Sequence, residues 1–325
     1  MLVCAPTGAG KTNVALLSIL REFDKTFDRV SNKAGDFQIV YISPLKALAT
    51  EIVEKFTSKL GHYGVIVKEF TGDMSLTRNE LLETHIIVST PEKWDVMTRK
   101  SDTITELVKM IIIDEIHLLD EERGRVLECI VARTTLTIER KQKNIRLVGL
   151  SATLPNYVEV ANFMQVKKGL FYFNETYRPV PLYKKFIGVR NPREQSKPNN
   201  DAGKKTKKNR GPDQQEVMHT VLYDLIRDNL ARHEQILIFV HSRKDTVKTG
   251  IRLLEMAQAA GENHLFVKPN NPIKENLLVN KDLKALVSRG IGSHNAGLCR
   301  KDRRLIENGF LDGTLRIVTC TVTLA

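Results

Sequence analysis

Four consecutive apolar residues, Met110-Ile111-Ile112-Ile113, run directly into the adjacent carboxylates Asp114-Glu115. A strand with one face in water alternates apolar and polar residues, whereas an unbroken β-branched run suits a strand covered on both faces. Runs of this kind recur at 38–43, 85–89, 109–114, 146–151, 236–241 and 315–320. Between them, Leu45, Leu48, Ala49, Ile52, Phe56 and Leu60, and later Leu222, Leu225, Ile226 and Leu230, fall at the three-and-four spacing of one apolar helical face. Strand and helix in alternation predict the α/β class, with parallel sheets covered on both sides, and 325 residues are enough for two such lobes.

The alternation is broken once. Tyr177-Arg178-Pro179-Val180-Pro181-Leu182 carries two prolines that oppose helix, and the stretch 191–215 then holds seven basic and three acidic residues with few apolar ones to anchor it. The expected organisation is a first lobe over 1–176 and a second over 177–325, with a solvated basic loop at 191–215. Composition, 42% hydrophobic and 27% charged, excludes a wholly disordered or fibrous chain. No apolar stretch approaches the roughly 20 residues of a membrane span, so no membrane partner is expected. Cys4, Cys129, Cys299 and Cys320 lack the paired spacing of a zinc site or disulfide framework and read as free thiols of a reducing compartment. A net charge of +12 keeps a polyanion such as nucleic acid among the partners without deciding for it.

Chemistry concentrates where strands end. Ala5-Pro6-Thr7-Gly8-Ala9-Gly10-Lys11-Thr12 follows a short apolar run and opens an amphipathic helix, the setting of a phosphate-binding loop, although its first residue is Ala where the strict pattern has Gly. Glycines let backbone N–H groups converge on phosphate oxygens, Lys11 reaches the β and γ phosphates, and Thr12 can ligate Mg2+. Asp114 can hold Mg2+ and Glu115 can orient or deprotonate the attacking water, the two tasks that phosphoryl transfer sets. An acidic helix start remains the plain alternative. His117 is either a hydrogen-bonded structural residue or part of the same centre. Ser151 and Thr153 either sense nucleotide or cap the helix beginning near Asn156, and residue type alone favours capping. The guanine-reading Asn-Lys-x-Asp pattern is absent, since Asn32-Lys33-Ala34-Gly35 and Asn280-Lys281-Asp282-Leu283 both fail it.

Taken in order, these residues resemble superfamily 2 DExH-box helicases of the Ski type. Ala5 to Thr12 is similar to motif I, Ser43-Pro44-Leu45-Lys46-Ala47-Leu48 to motif Ia, and Thr71-Gly72-Asp73 with Ser89-Thr90-Pro91-Glu92-Lys93-Trp94-Asp95 to the motif Ib region. Asp114 to His117 resembles motif II, and Ser151-Ala152-Thr153 motif III. Phe239-Val240-His241-Ser242-Arg243-Lys244 resembles motif IV, Ser293-His294-Asn295-Ala296-Gly297 the next conserved element, and Thr319-Cys320-Thr321-Val322-Thr323-Leu324-Ala325 the opening of motif V. Three residues depart from the pattern: Asn295 where the family has a second His, Arg125 where Pro follows Arg-Gly, and Val322 where Ala is usual.

The resemblance implies two tandem RecA-like lobes, the second C-terminally truncated. It implies ATP and Mg2+ as cofactors, with ATP between the lobes, and 3′-to-5′ translocation on RNA crossing both, with DNA as an alternative strand. Lys11, Asp114 and Glu115 would be catalytic, and His117, Ser151 and Thr153 would couple hydrolysis to movement. Ser43, Lys46, Thr71, Gly72, Thr90, Ser242 and Arg243 would meet the strand through its phosphates, which position it without reading sequence. A larger ribonucleoprotein or cointegrator complex is the expected setting, in the nucleus or alternatively the cytoplasm. Motif VI with its arginine fingers lies outside the 325 residues, and such fingers contribute roughly 10³- to 10⁵-fold to turnover. Weak ATP binding and slow or no hydrolysis are therefore expected of the chain alone. A binding scaffold without turnover is the competing reading, its run Lys204-Lys205-Thr206-Lys207-Lys208 serving as RNA tether, import signal or merely a solvated loop.

Overall fold

A computed structural model of the protein describes residues 1–26, 37–72, 76–100, 106–121, 123–141, 144–189, 214–267 and 277–322. Asp73, the basic stretch from 191 to 213, and Thr323-Leu324-Ala325 lie outside them. Two units are distinguished, Met1–Lys184 and Lys185–Ala325. The first contains β1 (Leu2–Cys4), α1 (Lys11–Thr26), β2 (Gln38–Ile42), α2 (Lys46–Leu60), β3 (Val67–Phe70), α3 (Arg78–Glu83), β4 (Ile86–Ser89), α4 (Pro91–Lys100), β5 (Val108–Ile113), α5 (Gly124–Lys141), β6 (Arg146–Ser151), α6 (Tyr157–Phe163) and β7 (Leu170–Tyr172). The second contains α7 (Gln214–Ala231), β8 (Ile236–Phe239), α8 (Arg243–Ala260), α9 (Asn263–Phe266), α10 (Lys281–Val287), β9 (Ile291–His294), α11 (Arg300–Leu311) and β10 (Ile317–Cys320). The strap 177–182 stays with the first unit, where Pro179 lies 3.5 Å from the point at which a Cβ on Gly8 would sit. Gln214 and Gln215, expected in the basic loop, instead open α7.

The first unit is a seven-stranded sheet in the order β3-β4-β2-β5-β6-β1-β7, and every neighbouring pair is parallel. All seven carboxyl ends therefore point to one edge. Alternate side chains along each strand enter opposite cores. Ile111 and Ile113 of β5, with Val40 and Ile42 of β2, pack with Trp94 of α4 and Leu127 and Ile130 of α5. Met110 and Ile112, with Ile39 and Tyr41, pack with Ala15 and Ile19 of α1 and Ile52 and Phe56 of α2. That two-sided burial is why the isoleucine run has no polar alternation, each such side chain contributing ~1.5–3 kcal/mol when fully buried.

The second unit is a parallel three-stranded sheet, β8-β10-β9. Ile238, Ile291 and Ile317 pack with Leu253 and Leu254 of α8, while Val318 and Cys320 pack with Leu283 of α10 and Ile306 of α11. The run 236–241 was expected to be covered on both faces. It is not: β8 is an edge strand, with Leu237 42% and Phe239 52% exposed. Among the described residues no helix is long and apolar enough to cross a membrane.

Candidate nucleotide site and strand-binding edge

The first chemical cluster stands on the carboxyl ends of β1, β5 and β6, adjacent columns of the sheet. Residues 5–10 turn from β1 into α1 through Gly8 at φ 84° and Gly10 at φ 95°, left-handed values that a side chain resists. The loop is tied down by Ala5 N, which donates to the Ser151 carbonyl at 3.0 Å. Pro6 is buried, Thr7 and Gly8 are exposed, and Ala9 and Gly10 are intermediate. Lys11 opens α1, and its Nζ donates back to the Ala5 carbonyl at 3.1 Å. Thr12, half-buried, sits in the same first turn.

Asp114 leaves β5 with its N–H donating to the Ile42 carbonyl at 2.9 Å. Its Oδ1 accepts from Glu115 N at 3.0 Å and its Oδ2 from the Tyr41 hydroxyl at 2.6 Å. Glu115 adopts φ 50° and ψ 46°, a left-handed conformation that costs a non-glycine residue ~1–2 kcal/mol and is held by the turn that follows, where Leu118 N donates to the Glu115 carbonyl. Burial pushes the Asp114 carboxyl above its ordinary range, opposed by the Tyr41 and Glu115 hydrogen bonds and by Lys11. Glu115 is pushed up by burial and then by the charge of Asp114, with Lys11 and His117 acting in the opposite direction. The influence of Lys11 on both carboxylates places loop and acidic pair within one electrostatic neighbourhood. Burial and Asp114 push the Tyr41 hydroxyl far above its ordinary range, so it remains a donor.

His117 faces two groups with one nitrogen. Nδ1 accepts from Ala152 N at 3.3 Å and lies 3.3 Å from Glu115 Oε2. The unprotonated nitrogen serves Ala152, whereas a proton on it would serve Glu115. Capping, favoured for Ser151 and Thr153 by residue type, is not what they do. Helix α6 begins after Asn156 without a side-chain cap. Thr153 Oγ1 donates instead to Glu175 Oε1 at 3.0 Å, and Ser151 is fully buried.

A second cluster occupies the neighbouring part of the same edge, on β2, β3 and β4. Ser43 is buried and its hydroxyl donates to the Leu45 carbonyl at 3.3 Å. Thr71 is also buried, donating to Glu69 Oε1 at 2.7 Å, and Thr90 is buried at the start of α4. The Ser43 and Thr71 hydroxyl protons are committed internally. Gly72 and Lys46, the first residue of α2, are exposed at this edge, and Lys46 Nζ lies 3.2 Å from where a Cβ on Gly72 would be. A side chain there would make a tight contact with the ammonium, which would have to give by a few tenths of an ångström.

Residues 1–160 match the DEAD/DEAH box helicase family profile. The whole chain is 47% identical over 331 residues to activating signal cointegrator 1 complex subunit 3 of Dictyostelium discoideum. It is 44% identical over 335 residues to the DExH-box ATP-dependent RNA helicase DExH14 of Arabidopsis thaliana.

This chain belongs to the DEAD/DEAH box helicases.

The RQC trigger complex helicase SLH1 of Saccharomyces cerevisiae is 43% identical over 343 residues. The chain spans 14–16% of the length of these three relatives. A crystal structure of the DUF1998 helicase MrfA bound to DNA matches the whole chain with a TM-score of 0.65 at 18% identity, the chain covering 40% of it, a likeness of fold.

In the second unit, Ser242 caps α8, accepting from Asp245 N at 3.2 Å while its hydroxyl donates to Asp245 Oδ2 at 2.7 Å. Arg243 is exposed beside Gly297 and lines, with Lys244, Lys248, Asn280 and Asn295, a groove of about 820 Å³. Two of the three departures from the helicase pattern have structural accounts here. Asn295 donates to Thr246 Oγ1 and accepts from Gly297 N, both at 3.0 Å, so an amide supplies both a donor and an acceptor. Arg125 is exposed in the first turn of α5, where Pro and other residues are equally accommodated because the N–H has no helical partner. Val322 is 76% exposed, and nothing in the structure explains its difference from Ala.

Three contributors escape motif reading. Tyr41 holds Asp114, Glu175 holds Thr153, and Arg123 Nη1 donates to the Pro44 carbonyl at 2.7 Å. Each pairs with a residue distant in sequence. Only Arg123, next to Gly124 in the expected motif neighbourhood, had a local signal.

Proposed function

We propose that the chain is the nucleotide-binding and strand-gripping portion of an ATP-dependent RNA helicase that translocates 3′ to 5′. One observation carries the reading: the phosphate-type loop after β1 and the acidic pair after β5 share one sheet edge, with only β6 between their strands. A triphosphate at that edge would draw Lys11 from the Ala5 carbonyl to its β and γ oxygens, while N–H groups of the glycine turn cradle them. Glu115, whose proton affinity is raised by burial and by Asp114, would orient the attacking water and take up its proton.

Thr12 and Asp114 fit a divalent cation: one hydroxyl and one carboxylate fixed in orientation, with no cluster of three His, Cys, Asp or Glu among the described residues to form an all-protein cage. Mg2+ is held in this way, by one or two protein oxygens together with phosphates and water, and when bound it neutralises phosphate charge. His117, Ala152, Thr153 and Glu175 form the path by which occupancy at Glu115 would be felt at the strap after Tyr177. Lys46 and Gly72 would meet strand phosphates in the first unit and Arg243 in the second.

RNA rather than DNA is supported by the name of the Arabidopsis relative. Membership of the parent protein in a cointegrator assembly belongs to the same reading and is supported by the name of the Dictyostelium relative; a ribonucleoprotein setting and nuclear residence are part of the proposal. The test is whether nucleotide alters RNA affinity. Labelled single-stranded RNA is titrated with the chain, with and without a non-hydrolysable ATP analogue and Mg2+. The expected change is roughly 5- to 150-fold, absent in Lys11→Ala while nucleotide-free RNA binding persists. Single-stranded DNA of the same sequence is expected to bind with weaker nucleotide dependence. A wild-type RNA affinity indifferent to nucleotide would support the scaffold instead.

A further inference from the structure

Tyr41 belongs to none of the helicase motifs quoted above, yet it reaches the centre of the acidic pair. Its ring is fully buried and packs edge-on against Phe56 of α2, with centroids 5.6 Å apart and planes at 84°. In the parallel pairing of β2 with β5, Tyr41 stands opposite Ile112, so its long side chain runs along the sheet toward Asp114. There the hydroxyl donates to Oδ2 at 2.6 Å, while Glu115 N donates to Oδ1 at 3.0 Å. Both oxygens of one carboxylate are thus held, from different elements, and rotation about the Cβ–Cγ bond breaks at least one hydrogen bond. Each oxygen keeps a lone pair for a further partner.

We propose that Tyr41 is a positioning residue for Asp114: its hydroxyl, braced through the ring by Phe56, sets the carboxylate plane presented to the divalent cation of a bound nucleotide. The proposal rests on the nucleotide-site reading given above. Residues that hydrogen-bond a metal's carboxylate ligand without touching the metal typically change its affinity by 10- to 100-fold when lost. Tyr41→Phe removes the hydroxyl and keeps the ring on Phe56, so it separates orientation from packing.

The experiment measures binding of a fluorescent ATP analogue to the full 325-residue chain, as a Mg2+ titration and again in EDTA. In Tyr41→Phe the Mg2+ midpoint is expected to rise about 10-fold, with affinity in EDTA unchanged. Added to Asp114→Asn, the same substitution is expected to change nothing further, because the hydroxyl acts only through that carboxylate. Phe56→Leu, which keeps the hydroxyl and loosens the ring, shifts the midpoint in the same direction by a smaller factor. Thermal melting by circular dichroism verifies that each variant folds. A Tyr41→Phe chain with the wild-type midpoint overturns the proposal. An equal loss in EDTA also overturns it, since the ring's packing would then be responsible. A wild-type chain that binds nucleotide identically with and without Mg2+ removes the underlying reading, and that result is visible before any substitution is made.

Discussion

Glu115 is a carboxylate in a left-handed turn, half-buried beside a second carboxylate. Its raised native proton affinity has a definite consequence for stability. In the pH range between the ordinary carboxylate value and the raised one, the native state binds more protons than the unfolded chain, so stability falls as pH rises. The penalty is complete above the native value and absent below the unfolded one. Glu115→Gln removes it. The nucleotide-free variant is therefore expected to melt at a higher temperature than wild type near pH 7.5, with the gap closing toward about pH 4, where the unfolded carboxyl also carries a proton. Differential scanning fluorimetry at the two pH values checks this, and equal melting temperatures at pH 7.5 would contradict it. Asp114 carries a penalty of the same sign, opposed by the hydrogen bonds from Tyr41 and Glu115.

Elements are held by residues whose role no local pattern announces. Arg316, just before β10 and 6% exposed, donates Nη1 to the Leu265 carbonyl of α9 at 2.7 Å and Nη2 to the Leu230 carbonyl of α7 at 2.6 Å. Both acceptors lie in last turns, where a cation is favoured; the Leu230 carbonyl also accepts from His233 N at 3.0 Å. Arg316→Leu removes two charged hydrogen bonds, leaving Leu230 with only the His233 N–H, and at ~1.5–3 kcal/mol per charged hydrogen bond it is expected to cost on the order of 3 kcal/mol, read as a lower urea midpoint by circular dichroism. The strands that sequence made legible were those with apolar runs, buried on both faces in β2 and β5 and half-exposed at the edge in β8. The polar residues ending those runs, Ser43 and Asp114, lie just beyond the observed strands. Strands that are short, at an edge or interrupted by polar residues were not legible. Half-polar β3 lies at an edge, β7 is three exposed residues, and β9 is Ile291-Gly292-Ser293-His294, whose glycine is needed because a Cβ there would stand 2.9 Å from both Ile306 and Leu315. The motif loops were readable because phosphate binding demands particular residues at fixed spacing. Tyr41, Glu175 and Arg316 were not, since their partners are set by the fold alone.

Across the first unit, the carboxyl edge is divided: the proposed phosphate site stands on β1, β5 and β6, the strand-facing candidates on β2, β3 and β4, and Tyr41–Asp114 bridges the boundary between β2 and β5. Together with a net charge of +12, this predicts RNA binding through phosphates rather than bases. The affinity for single-stranded RNA is expected to fall with salt, log Kd changing by about 0.7 per phosphate contact for each tenfold rise, and to vary little between unrelated sequences of one length. Anisotropy titrations at several salt concentrations measure both, and strong sequence preference at flat salt dependence would contradict the prediction. The central claim is that loop and acidic pair form one nucleotide site, and it is tested most directly by equilibrium titration of the chain with a fluorescent ATP analogue in Mg2+. Saturable binding of one nucleotide per chain, lost in Lys11→Ala and weakened in Asp114→Asn, is the predicted result; no binding by wild type, or binding untouched by both substitutions, would contradict it.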